Sequence, residues 1–166
     1  MTQNPYVGSP LRVKLLTEME KQFNLKNVAF FETLLEHKDN VIRTRSVCIL
    51  ANIAGENAVK SIASVLTKDS DALVRHEAAF SLGQLGFISA LKPLLEAIET
   101  DPSLFVRHEA AIAIGVIGSE EGRIGLISAL NDPDEEVRES AKIALANLDY
   151  IASANGNTVF SKMTGG

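Results

Sequence analysis

Two histidine–glutamate pairs stand in nearly identical sequence contexts. His76-Glu77 lies in the segment Val-Arg-His-Glu-Ala-Ala, and His108-Glu109 lies in the same six residues 32 positions further along the chain. Imidazole nitrogens and carboxylate oxygens are ligands that suit iron, manganese or zinc, and helical proteins hold two irons with these residue types. The spacing therefore predicts a metal site formed by His76, Glu77, His108 and Glu109, for which iron, manganese and zinc are all suitable.

An arginine that recurs at a regular interval marks a sequence repeat. Arg43, Arg75, Arg107 and Arg138 are separated by 32, 32 and 31 residues, a period typical of solenoids built from helix pairs. Each unit begins with apolar residues at helical spacing, and a polar break separates them from a second helix. The apolar residues of the first helices are Val28, Phe31, Leu34, Leu35, Val59, Ile62, Leu66, Leu91, Leu94, Leu95, Ile98, Ile124, Ile127 and Leu130. The pattern predicts an all-α fold, an α-solenoid of about four helix pairs.

Turn signals set the expected boundaries of the helices. Asp69, Asp101 and Asp132 precede the second helices and are predicted N-caps, while glycines near the ends of these helices are predicted C-caps at Gly55, Gly86 and Gly118. An N-terminal helix, in which Leu11, Leu15, Leu16 and Met19 are spaced for one face, is expected to cap the open end of the solenoid. We expect a flexible lead over 1–10, the repeat domain over 11–149 and a disordered tail over 150–166.

The helical period also predicts which face the His-Glu pairs occupy. His76 lies about 200° around the helix from Val74, which packs on the first helix of its own unit. The histidines should therefore lie on the concave surface, with Glu77 and Glu109 facing neighbouring repeats. The other residues expected on this surface are apolar, namely Val47, Cys48, Ala79, Phe80, Gly83, Ala111, Ile112, Gly115 and Ile143. A face of this kind should be covered, and a two-fold homodimer would cover it and double the number of metal ligands.

At these residues the sequence resembles a known family. Repeats with Val-Arg-x-x-Ala-Ala are similar to the HEAT-like type of the phycobilisome lyases, over residues 27–149. The His-Glu pairs resemble those of the deoxyhypusine hydroxylases, which are non-haem di-iron monooxygenases that hydroxylate a modified lysine. The segment Arg-His-Glu-Ala-Ala-Phe-Ser-Leu-Gly-Gln, residues 75–84, matches the first iron-binding repeat of each half of those enzymes. The resemblance implies that the chain is one half of such an enzyme, with His76, Glu77, His108 and Glu109 as iron ligands and two irons per homodimer.

Two departures from that family leave other interpretations open. The family carries both halves in one chain, and Ile112 stands where its second motif tends to place a further glutamate. The competing hypothesis is a non-catalytic HEAT-repeat scaffold that binds a partner protein, or a chromophore as the phycobilin lyases do. A duplicated repeat could also carry a solvated His-Glu pair along with it.

Composition and charge exclude several classes of function. The formal net charge is −5 and the 16 Lys and Arg residues are dispersed, which argues against a nucleic-acid surface. We expect no membrane segment, because no apolar run approaches the length of a span. Cys48 is the single cysteine and cannot form an internal disulfide. Together with an N-terminus unlike a signal peptide, this predicts a cytoplasmic protein. A protein substrate is the further partner that the hydroxylase interpretation implies.

Overall fold

The computed structural model describes residues 9–154, and its regular elements are helices. The α-helices are α1 (Pro10–Asn24), α2 (Val28–Leu34), α3 (Asn40–Ala54), α4 (Val59–Lys68), α5 (Ala72–Leu85), α6 (Leu91–Thr100), α7 (Leu104–Ile117), α8 (Arg123–Ala129) and α9 (Glu135–Ser153). Short 3₁₀ turns at Gly55–Ala58, Ile88–Ala90 and Glu120–Gly122 lead into α4, α6 and α8. The predicted α-solenoid is confirmed, with α1 preceding the pairs α2–α3, α4–α5, α6–α7 and α8–α9.

The second helices of the pairs form one continuous layer. Each packs on the first helix of its own pair, and α3, α5, α7 and α9 also pack on one another in that order. Close approach is possible because glycines replace larger residues: a Cβ placed on Gly83 would lie 2.9 Å from Cα of Ala113, and one on Gly115 would lie 2.9 Å from Cα of Ala144. The layer holds α5 and α7, which carry the His-Glu pairs, side by side.

The repeating arginines connect consecutive pairs. Arg75 donates from Nε and Nη2 to the Asp101 carboxylate, at 2.7 and 2.9 Å, and from Nη1 to the carbonyl of Asp69. Arg43 with Asp69 and Arg107 with Asp132 repeat this bidentate arrangement. Charge-assisted, two-point contacts of this kind fix geometry as well as adding energy. They hold each second helix in register with the turn of the following pair.

The aspartates of these turns are not the helix N-caps that the sequence predicted. The residues at the N-caps of α5, α7 and α9 are Asp71, Ser103 and Asp134. Asp69, Asp101 and Asp132 lie two residues earlier, where each accepts a backbone N–H and holds the arginine of the preceding pair. The helices begin later because a turn built on the aspartate side chain comes first. At the other ends the predicted C-caps are confirmed, since Gly86 and Gly118 are left-handed at φ 70° and 71°.

The N-terminal helix α1 packs on α3 and buries Met19, as expected of a cap. Arg12 of α1 also pairs with Asp39 at the start of α3, 2.7 Å away. The predicted helix is present, but Leu11 lies outside the buried face of α1, since this side chain is 78% exposed. The first turn of α1 projects beyond the repeat that it covers.

Two further expectations are corrected by the structure. In α8 the residues predicted to face the core, Ile124 and Ile127, are 83% and 50% exposed, whereas Leu126 and Ala129 are buried. The helix is only seven residues long, and it carries apolar side chains on two of its faces. Spacing alone therefore does not determine which face packs inward. Helix α9 continues to Ser153, past the predicted end of the repeat domain at Asp149. The remainder of the predicted lead and tail falls on 1–8 and 155–166, outside the described residues.

Among the helices of residues 9–154, none combines the length and the apolar character that a membrane crossing requires.

Candidate metal centre

The four predicted ligands lie at matching positions on neighbouring helices. His76 and Glu77 are one turn inside α5, and His108 and Glu109 are one turn inside α7. The glycine–alanine contacts and the arginine–aspartate pairs fix the register of these two helices. The side chains of one helix can therefore reach those of the next.

His76 and Glu109 contact each other across the two helices. Nε2 of His76 lies 3.4 Å from Oε2 of Glu109, whose side chain is only 9% exposed. The contact with the Glu109 carboxylate raises the pKa of His76 above its ordinary value, and the charge of Glu77 adds to the effect against an opposing contribution from burial. A histidine and a buried carboxylate that face each other are a suitable pair of donors for a metal.

Glu77 reaches in the opposite direction along the layer, toward α3. Its Oε1 accepts a hydrogen bond from the thiol of Cys48, at 2.8 Å. The partial burial of the thiol and this hydrogen bond raise the pKa of Cys48 to about 12. Cys48 therefore stays protonated at neutral pH and serves as a donor that holds the Glu77 carboxylate.

His108 is oriented by Ser140 of α9. The hydroxyl of Ser140 lies 2.7 Å from Nδ1 of His108 and also donates to the carbonyl of Glu136, at 2.8 Å. The hydroxyl has one hydrogen, and with that hydrogen on Glu136 its oxygen accepts from Nδ1–H of His108. That arrangement puts the ring proton on Nδ1 and leaves Nε2 unprotonated, as metal binding requires.

Each of these contacts joins a side chain of one second helix to a side chain of the following second helix. Cys48 of α3 contacts Glu77 of α5, His76 of α5 contacts Glu109 of α7, and His108 of α7 contacts Ser140 of α9. The expectation that Glu77 and Glu109 face neighbouring repeats is confirmed. The structure brings His76 and Glu109 together. Within residues 9–154, however, no three His, Cys, Asp or Glu side chains form a group that could hold a metal.

The match to known families agrees with the architecture. A family model of HEAT repeats matches residues 59–146. The chain belongs to the HEAT-repeat family. This HEAT-repeat protein is also similar to human deoxyhypusine hydroxylase, solved in complex with glycerol, with 32% sequence identity and a TM-score of 0.68. The similarity covers 74% of this chain and 43% of the human enzyme, so this chain spans less than half of that protein's length. No curated protein matches the sequence.

The exposed apolar surface of the HEAT-repeat protein differs from the one predicted. Five residues expected on the surface are buried between the second helices: Val47, Ala79, Gly83, Ala111 and Gly115. Small side chains at these positions allow the helices to approach, so they serve packing instead of binding. The exposed members are Cys48, Phe80 and Ile143, and Ile112 is half-buried.

Two exposed apolar residues beside the His-Glu pairs were missed by the sequence analysis. Leu73 and Phe105 are 62% and 61% exposed and precede His76 and His108 by three residues. We define the second-helix face as the following residues of α5 and α7: Leu73, His76, Glu77, Phe80, Phe105, His108, Glu109 and Ile112. On each helix an apolar side chain stands before and after a His-Glu pair.

Cys48 and Ser140 are the polar residues near the pairs whose contacts the sequence did not predict. They belong to the outer repeats, where the His-Glu pair itself is missing. For Ser140, an alignment of the repeats could have indicated this contact, since Ser140 occupies in the last repeat the position that Glu109 occupies in the repeat before it. Both hold one of the predicted ligands in place.

Proposed function

We propose that this chain is one half of a non-haem di-iron monooxygenase resembling deoxyhypusine hydroxylase. Its metal ligands would be His76, Glu77, His108 and Glu109, and its substrate a modified lysine or a related amine. The observation that carries the proposal is the presence of a His-Glu pair on each of two adjacent helices in a chain 32% identical to the human enzyme. Iron, when bound, supplies the activation of O₂; manganese and zinc suit the same donors.

The donor chemistry of the second-helix face fits iron. Ser140 holds Nδ1 of His108 by a hydrogen bond and so leaves Nε2 as the nitrogen available to a metal, and Glu109 is a buried carboxylate 3.4 Å from His76. Outer contacts that orient a ligand are a general feature of metal sites, and they raise the affinity for the metal. The described residues of one chain nevertheless bring only two predicted ligands into contact, so further donors are needed.

A second copy of the chain would supply those donors. This chain covers 43% of the human enzyme, and two copies facing each other by a two-fold axis would present each His-Glu pair to an equivalent pair. The same association would cover the apolar residues that flank the pairs, including Phe80, Phe105 and Leu73. We therefore propose a homodimer with two irons, formed through the second-helix face.

The test combines metal analysis with the size of the protein in solution. Protein purified without chelator should contain about two irons per dimer, with an optical spectrum typical of a di-iron site. His76→Ala and Glu109→Gln should lose the metal while the helical circular dichroism is retained. His37→Ala is the matched control, because His37 lies in the turn before α3 and accepts a backbone N–H of Asp39; its metal content should equal that of the wild type.

A metal-free monomer whose partner binding is unaffected by these substitutions would contradict the proposal. That result would favour the second candidate function, a non-catalytic HEAT-repeat scaffold for a partner protein or a chromophore. The exposed phenylalanines Phe80 and Phe105 favour this candidate, because isolated aromatic side chains on a layer of helices are suited to protein or ligand contacts. A scaffold needs no metal, so metal content separates the two functions.

A further inference from the structure

The row of arginine–aspartate pairs reaches Arg138 of α9 without a further aspartate. In the three preceding repeats the arginine donates from Nη1 to a backbone carbonyl of the turn before its own helix, and from Nε and Nη2 to the aspartate of the following turn. Arg138 keeps the first contact, since its Nη1 lies 2.8 Å from the carbonyl of Asp132 and 3.0 Å from that of Pro133. Within residues 9–154 no carboxylate accepts from its Nε or Nη2. The guanidinium is therefore held in place with its bidentate edge open.

The last of the first helices, α8, exposes apolar side chains at positions that are covered in the helix before it. Ile127 occupies in α8 the position that Leu95 occupies in α6. Leu95 packs on the core and faces Gly125 of the following helix, whereas Ile127 is 50% exposed. Ile124, one turn earlier, is 83% exposed and stands where α4 and α6 carry a lysine. The C-terminal end of the described solenoid thus presents two isoleucines in addition to the guanidinium.

The preceding repeats show which kind of segment covers these positions. Helix α6 packs on α4, and its C-cap residue Asp101 binds Arg75. Helix α8 likewise packs on α6, and Asp132 in the turn after it binds Arg107. Each of these aspartates also accepts the backbone N–H two residues later. One helix therefore covers the preceding first helix and delivers, at its own C-terminal end, the aspartate that the arginine binds.

From these repeats we propose that the C-terminal end of the solenoid binds one helix of a partner protein, an amphipathic helix that ends in an aspartate turn. The apolar face of that helix covers Ile124 and Ile127. Its aspartate accepts from Nε and Nη2 of Arg138, as in the three internal pairs, and such bidentate pairing fixes orientation as well as adding affinity. The site is independent of the proposed metal centre, because none of these residues belongs to the second-helix face.

Helix α9 limits the partner to a single helix. Lys142 occupies the position of Ala79 and Ala111, which are fully buried between second helices. The side chain of Lys142 is 60% exposed and pairs with Glu139. A further second helix could not approach α9 closely without burying this ion pair, and the loss of its hydration opposes such an approach. The partner therefore supplies the counterpart of a first helix and its turn, not a complete repeat.

The carboxylate comes from a polypeptide other than this chain. Residues 155–166 contain neither aspartate nor glutamate. In the described part of the chain, each aspartate that follows a first helix already binds an arginine: Asp39, Asp69, Asp101 and Asp132. A second copy would have to break one of these pairs in order to supply Arg138.

The test uses the full chain and a fluorescent synthetic peptide of residues 87–104, which contains α6 and the turn of Asp101. This segment is the one that Arg75 binds within the chain. Fluorescence anisotropy should show saturable binding to the wild-type protein. The peptide with Asp101→Asn should bind about 10- to 100-fold more weakly, the usual contribution of hydrogen bonds to a charged group. This comparison needs no change to the protein, so it stands even if a variant fails to fold.

Variants of the protein locate the bound peptide. Arg138→Ala should bind the two peptides equally, because the contribution of the pair requires both of its members. Ile127→Ser should weaken the binding of both peptides by one common factor, since it removes apolar contact only. The matched control is Arg45→Ala, because Arg45 is an exposed arginine of α3 at the opposite end of the layer of second helices. It should bind both peptides as the wild type does.

Equal binding of the two peptides by the wild type would overturn the proposal, and so would a difference between them that persists in Arg138→Ala. The absence of saturable binding by the wild type would also count against it. A chain that self-associates without peptide, and becomes monomeric through Arg138→Ala, would show that a second copy occupies this end in place of a partner helix.

Discussion

The hydroxyl of Ser140 on α9 forms a hydrogen bond with Nδ1 of His108 on α7, over a distance of 2.7 Å. A residue of an outer repeat that lacks the His-Glu pair thereby orients the ring of a histidine in a middle repeat. The hydroxyl acts through His108 and is a positioning group, not a ligand. The relationship gives the first prediction.

Ser140→Ala should reduce the affinity of the protein for metal by about 10- to 100-fold, the usual effect of removing an outer contact of a metal ligand. Helicity should be retained, because alanine is small and favours a helix. Titration with ferrous iron under nitrogen measures the affinity, and Ser140→Thr should rescue it since threonine retains the hydroxyl. An affinity equal to that of the wild type would show that His108 is positioned by other groups.

The contact between His76 and Glu109 predicts a pH effect in the metal-free protein. The folded pKa of His76 is raised above its ordinary value of 6.5, mainly by its contact with the Glu109 carboxylate. Stabilisation by protonated His76 is therefore fully present below the unfolded pKa and is lost as the pH rises through the folded value. Glu109→Gln should lower the pKa of His76, as measured by NMR titration of the imidazole. His37→Ala serves to assign the signals, and an unchanged titration of His76 in Glu109→Gln would contradict the contact.

The bidentate pair of Arg75 and Asp101 should be important for stability. Both side chains are largely buried, at 11% and 6% exposed, and removing one leaves the other charge without its partner. We expect Arg75→Ala to reduce the free energy of unfolding by about 3 kcal/mol. The control is Lys142→Ala, because the pair of Lys142 with Glu139 is more than half exposed and should contribute less than about 1 kcal/mol. Urea denaturation measures both, and equal losses would refute the distinction.

Asp132 should make the free energy of unfolding depend on pH in the acidic range. Its hydrogen bond with Arg107 holds the pKa of the Asp132 carboxyl below its ordinary value of 3.8. The stabilisation is present above the unfolded pKa and is lost as the pH falls through the lower folded value. Asp132→Asn should therefore be less stable at neutral pH and lose less stability on acidification. Thermal unfolding at neutral and acidic pH measures the difference between the two proteins, and parallel losses would argue against the mechanism.

The close approach of α5 to α7 predicts that Gly83→Ala is destabilising. The added Cβ would meet the backbone of Ala113 at 2.9 Å, so the helices must separate, at a cost of about 1–3 kcal/mol. Gly125→Ala is the matched control, since its Cβ would meet only the terminal methyl of the Leu95 side chain, which can rotate away. Chemical denaturation should show a clear loss for the first variant and a smaller one for the second.

The fold could be predicted from the sequence because the sequence patterns that indicate it occur in every repeat or nearly so. The arginine period, the apolar spacing of α4 and α6 and the glycine C-caps each occur several times, and in the structure three of the arginines pair with turn aspartates in the same way. The face of α8 was mispredicted because a helix of seven residues spans barely two turns. A short helix gives too few positions to separate two apolar faces.

The contacts within the predicted site were harder to predict from the sequence, because they depend on the register between helices. The period places His76 and Glu109 on facing helices, but the reach of each side chain depends on how far one helix is shifted along the next. That shift is set by contacts such as Gly83 against Ala113. Cys48 and Ser140 could be recognised as partners of Glu77 and His108 only once this shift between the helices was known. Whether His76, Glu77, His108 and Glu109 bind iron stays a prediction.

The arginine pairs also affect how the chain would unfold. Asp69 serves two repeats at once, because its carboxylate holds Arg43 of the preceding pair while its carbonyl holds Arg75 of its own pair. Detaching one helix pair from either end therefore leaves a charged group of its neighbour unpaired, which opposes stepwise fraying. The amide protons of α3, α5 and α7 should exchange with solvent in one cooperative event, so that the solenoid behaves kinetically as a single folding unit rather than a row of separate repeats.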